Sequence, residues 1–138
     1  MARYDHLPIW KTALDLALAV ERAVAHFPRS HKYALGTDLR RSAQRICELV
    51  VRANADEARR ADTLDDLIST VEETKTLTTL GKELRAFHDF NQFARIAELA
   101  VSLGKQSGGS RRQCRSTGQR PDQRRSQKPP PESDGARA

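Results

Sequence analysis

The stretch FPRSHKYALGTDLRRSAQRI, residues 27–46, closes one helical pattern and opens another. Pro28 disfavours the α region for the residue before it, so the first helix stops at Phe27. A second helix follows, with Ser30 and Thr37 as its candidate N-caps. Its apolar line is Leu35, Leu39, Ile46, Val50 and Ala53, which at 100° per residue falls in a sector of about 60°. Arg41, Arg45 and Arg52 share a second sector roughly opposite, with Glu48 among them. Gly36 lies inside this helix, where glycine costs about 1 kcal/mol relative to alanine. Close backbone approach by a neighbouring helix is one explanation for it.

Working outward, Pro8 fits a first helical turn, where its missing N–H costs nothing. From there Ile9, Ala13, Leu16, Val20, Val24 and Phe27 recur at steps of three or four, a helical face. Leu14, Ala17, Leu18 and Ala23 widen it, which predicts burial on more than one side, against sister helices or another subunit. On the other flank, NADEARRA (residues 54–61) reads as helix end and loop. Thr63 is a good N-cap, and Asp65 and Asp66 suit the helix dipole. The third helix carries Leu64, Leu67, Ile68, Val71, Thr74, Leu77, Leu80, Leu84 and Phe87, the strongest periodic signal in the chain. His88 and Asp89 allow a reversal, with Asp89 as cap. Phe90, Phe93, Ile96 or Ala97, Ala100 or Val101, and Leu103 make the fourth helix, with Gly104 as its C′ terminator. No strand-like alternation appears. Four helices with short connections predict an all-α, up-down-up-down four-helix bundle over residues 5–105. Residues 106–138 contain no Leu, Ile, Val, Phe, Trp or Tyr, which predicts a disordered basic tail.

A chain of 138 residues bounds this to one domain with a tail. Aromatics at 5% do not suit a large β-sandwich. No apolar run approaches the roughly 20 residues that span a bilayer. The start, MARYDHLPIW, lacks the layout of a signal peptide, so a soluble, cytoplasmic protein without membrane contact is expected. Cys47 falls in a helical pattern and Cys114 in the polar tail, which argues against a disulfide framework. His6, His26, His31 and His88 lie near helix ends or loops and form no HExxH or Glu-x-x-His pattern, so no metal site is expected. Glu72 and Glu73 are adjacent and point about 100° apart. The GGS at 108–110 follows the last helix instead of preceding one, unlike a phosphate-cradling loop. These readings leave no catalytic residue and no cofactor.

Charge is unevenly placed. Residues 1–105 carry 16 Lys+Arg and 15 Asp+Glu, whereas residues 106–138 carry 8 and 3, so the basic balance is mostly a tail effect. Within the helices, residues 29–60 hold 8 bases and 4 acids, and residues 62–87 hold 3 bases and 6 acids. One helix is basic and the next acidic. This segregation serves either helix and subunit pairing or a positive surface for phosphates.

Residues 5–109 resemble a known family. The features are LPIWK at 7–11, FPRSHKYALGTDLRR at 27–41, TLTTLGKELRAF at 76–87 and AVSLGKQSGG at 100–109. Together they resemble the four-helix-bundle family of the accessory variability determinant (Avd) of diversity-generating retroelements, related to proteins encoded in ribosomal RNA intervening sequences. The resemblance implies a non-enzymatic homopentamer that binds RNA or DNA, associates with the element's reverse transcriptase and supports mutagenic retrohoming. It implies nucleic-acid contact at Lys32 and Arg40; Arg41, Arg45 and Arg52 join them by their helical face. The alternative is an oligomeric interaction bundle of the intervening-sequence type without strong nucleic-acid binding. The chain departs from the family pattern after Gly109, and its residues 1–105 are less basic than RNA-binding members would be.

Overall fold

Pro8 stands in the first turn of α1 (Pro8–Ala25) in a computed structural model that describes residues 4–116. The other elements are α2 (Arg29–Lys32), α3 (Leu35–Ala55), a 3-10 turn (Glu57–Arg59), α4 (Arg60–Glu83) and α5 (Phe90–Ser116), with no strand among the described residues. Four of these helices are long. α1 packs against α3 and α5, and α4 packs against the same two. Contacting pairs run in opposite order along each junction. From α1 to α3 they are Val24 with Gly36, Glu21 with Arg40 and Ala13 with Cys47. From α3 to α4 they are Leu35 with Gly81 and Ser42 with Thr74. From α4 to α5 they are Asp65 with Arg111, Val71 with Gly104 and Lys82 with Phe93.

The core follows the apolar lines of the first two long helices. Ala13, Leu16, Val20 and Val24 of α1 and Leu35, Leu39, Ile46, Val50 and Ala53 of α3 are all buried. Gly36 has the close neighbour expected of it. A Cβ there would sit 2.8 Å from Val24 Cγ1 and 3.4 Å from both a Phe27 ring carbon and the His31 carbonyl oxygen, so the nearest approach is by a side chain of α1, with the backbone of α2 close behind. Leu14 and Leu18 are exposed, so this chain covers only part of the wide α1 face.

Four expectations are corrected. Ser30 and Thr37 do not cap the second long helix: α2 begins at Arg29, and Ala34, without a side-chain cap bond, precedes α3. Thr63 is buried inside α4 and caps nothing, because the helix starts three residues earlier. There Asp56 accepts from the Arg59 N–H, while Arg60 donates to the Ala53 and Asn54 carbonyls, tying the end of α3 to the start of α4. A guanidinium at those carbonyls also meets the negative end of the α3 dipole.

The third correction concerns α4. Leu64, Leu67 and Val71 are buried, but the buried face then passes to Thr74, Thr78 and Gly81, while Leu80 and Leu84 are exposed. Thr70, Thr74 and Thr78 each donate to the carbonyl four residues earlier, at 2.7–2.8 Å. The hydroxyls are thereby satisfied and the methyl groups are free to pack. Thr74 Oγ also pairs with Ser42 Oγ of α3, 3.0 Å away.

The fourth is the end of the domain. Gly104 does not terminate the last helix, which runs to Ser116. Residues 106–116 of the expected tail are thus helical; residues 117–138 lie outside the described part. Ser107 is buried and donates to Leu103 O, Cys114 is buried, and Arg111 reaches Asp65 of α4 at 2.7 Å. A Cβ at Gly104 would meet only the end of Lys75 at 3.4 Å and Val71 at 3.8 Å. Asp89 does cap α5, accepting from the Gln92 N–H at 2.9 Å.

Candidate functional site

The apolar line of α3 faces inward, so its basic residues are divided between the two flanks of that line. Arg40 lies on the α1 side, where its Nε donates to Glu21 at 3.0 Å. Both partners are solvent-exposed, so the pair contributes less than about 1 kcal/mol. Arg41 and Arg45 lie on the α4 side and together line a surface cleft of about 200 Å³ with Asp38, Ser42, Glu73 and Leu77. Arg52 is exposed two turns further along α3. Lys32 ends the short helix α2, half-buried. The five expected positions therefore do not form one patch. Arg41 and Arg45 are brought together, with Arg52 as an extension along the helix. Arg40 is spent on an intramolecular ion pair.

Among the described residues, Arg41, Arg45, Arg52 and Lys32 have no ion-pair partner within 4.0 Å. The three arginines keep planar guanidinium forks that match a phosphate in bidentate geometry, whereas Lys32 offers an ammonium point charge. Asp38 and Glu73 line the same cleft. Two acids beside two arginines leave little long-range field, so any polyanion is held by close contact more than by steering.

Other reactive groups are quiet. Burial pushes the Cys47 thiol up, with Glu48 adding to the effect, and its Sγ–H donates to Ala13 O at 3.5 Å. That combination disfavours the thiolate that nucleophilic chemistry needs. Among the described residues no group of three or more His, Cys, Asp and Glu side chains could hold a metal ion. No described helix is long and apolar enough to cross a membrane. The sequence reading missed Arg111, whose side chain is 12% exposed and bonded to Asp65. That hydrogen bond holds its guanidinium charged, above its ordinary range. An acid in the first turns of α4 and an arginine beyond Gly109 were its only signals in the sequence.

No known protein-family model and no curated protein matches this chain.

Proposed function

We propose that this protein is a non-enzymatic accessory protein of a diversity-generating retroelement. In this reading it is an up-down-up-down bundle that assembles as a homopentamer. It binds template RNA or its DNA copy, and the element's reverse transcriptase, in support of mutagenic retrohoming. The residues matched at 27–41 carry the family likeness. The observation that supports nucleic-acid contact is the pairing of Arg41 and Arg45, without ion-pair partners, in one cleft between α3 and α4.

The test is binding of a structured RNA across a salt series. Arg41→Glu with Arg45→Glu weakens binding by roughly tenfold or more and flattens the salt dependence, as the loss of two phosphate contacts requires. Arg40→Ala, which removes a residue already paired to Glu21, changes affinity by no more than about twofold. Unchanged affinity in the double variant removes the cleft from the account.

A second reading is an oligomeric interaction bundle without strong nucleic-acid binding. It is favoured by the exposed Leu80 of α4 and Leu84 at its C-terminal cap, with Glu83 lining the same surface as Leu80. Sedimentation with and without RNA separates the two: assembly alone supports the second reading, and RNA retention near physiological salt supports the first.

A further inference from the structure

The bundle end where α1 passes into α2 and α4 turns into α5 collects features that packing does not require. All four Phe residues of the chain lie there, with Tyr33. The rings form a chain of contacts from core to surface: Phe27 to Phe87 at 5.2 Å, Phe87 to Phe93 at 5.8 Å, and Phe93 to Phe90 at 5.4 Å. Phe27 is buried, but Phe90 at the outer end is 68% exposed. Tyr33 is 73% exposed. It lies two residues before Leu35, which with the Phe87 ring packs tightly onto Gly81.

Basic side chains accompany these rings. Arg29, His31 and Lys32 make up most of α2, and Lys82 sits 5.4 Å from the centre of the Phe93 ring. Of the acids at the same end, Asp89 caps α5 and Glu83 is 3.7 Å from Lys82, while Asp38, in the first turn of α3, lines the Arg41–Arg45 cleft. Arg85 adds an independent sign. Its φ is 58°. It occupies the C′ position after α4, with its N–H on Lys82 O and the Ala86 N–H on Gly81 O, the Schellman arrangement. Every residue with a Cβ is disfavoured there, and glycine would close the helix better. A long cation held in that conformation points to a use outside the turn.

We propose that this end of the bundle binds unpaired nucleic acid. Tyr33 and Phe90 stack on exposed bases, and Arg29, Lys32 and Arg85 meet the flanking phosphates. This rests on the nucleic-acid reading above and narrows it to single strands. A duplex hides its base faces, whereas a single strand offers them to any exposed ring, whatever the base.

The experiment uses the full chain and fluorescence anisotropy with a labelled short oligouridylate and a blunt RNA duplex. Tyr33→Ala with Phe90→Ala weakens oligouridylate binding roughly tenfold or more and leaves duplex binding within about twofold. Tyr33→Phe, which keeps the ring, retains affinity. Arg85→Gly raises the thermal midpoint by about 4 to 8 °C yet weakens oligouridylate binding, opposite signs that a purely structural role would not give. Oligouridylate affinity unchanged in the alanine pair, or reduced equally for the duplex, overturns the proposal. If the alanine pair is silent while Arg41→Glu with Arg45→Glu abolishes binding, this surface fails and the accessory-protein reading stands. If the unaltered protein binds neither probe, both fail.

Discussion

Gly36 shows how one residue couples two helices. A helix interior disfavours glycine by about 1 kcal/mol relative to alanine, so Gly36→Ala would stabilise an isolated α3. In the bundle the new methyl carbon would stand 2.8 Å from Val24 Cγ1. Valine is stiff at χ1 and cannot swing away, so the clash moves backbone. Overpacking of this kind costs about 1 to 3 kcal/mol, which outweighs the propensity gain. Gly36→Ala is therefore expected to lower the urea midpoint with an unchanged slope; a raised midpoint would mean that α1 and α3 do not approach this closely. Arg40 makes the same point for the basic residues. The sequence places it next to Arg41, but one step of 100° turns it toward α1 and into its pair with Glu21.

At the scale of elements, α5 gives the sharpest contrast. Its glycines suggest termination, yet Gly104, Gly108 and Gly109 lie within the helix and none has a positive φ. The contacts that continue the helix are to another element, through Arg111 to Asp65 and the buried Ser107 and Cys114. Gly104→Ala accordingly has a definite sign. Within a continuous helix, with only the far end of the Lys75 side chain to give by a few tenths of an ångström at most, it stabilises the protein by about 0.5 to 1 kcal/mol. At a left-handed C′ position it would destabilise by about as much. A thermal melt of this variant separates the two placements. Element α4 is the other case. Its leucines at 77, 80 and 84 continue an apolar rhythm, but its threonines line the core, because each hydroxyl bonds within its own helix and leaves a small methyl face for close packing.

For the whole molecule, the exposed leucines are the observation that one chain leaves unused. Leu80 and Leu84 are 46% and 44% exposed on one side of α4, and Leu14 and Leu18 are exposed on α1. Such paired leucines suit contact with a second chain. Leu80→Lys with Leu84→Lys is expected to cost the fold about 1 kcal/mol in total, because the lysine stems keep part of the packing. It also dissociates any assembly that uses this face, as read by sedimentation. An unchanged sedimentation profile would leave α4 outside the interface.

How much of this was legible in the sequence depends on how local the signal is. Pro8, Pro28 and Asp89 mark helix starts and stops through effects within a few residues, and the buried lines of α1 and α3 follow from a single dominant apolar stripe. The number of long helices and most of the core are thus set by sequence alone. The basic residues of α3 were also legible as residues, but their sharing between Glu21, the Asp38–Glu73 cleft and solvent was not. The tertiary structure decided that division, the buried face of α4 and the length of α5. For α4 and α5 two local patterns compete, threonine against leucine and glycine as terminator against glycine inside a continuing helix. Helical periodicity cannot choose between them, because the choice depends on how closely a helix far away in the chain can pack.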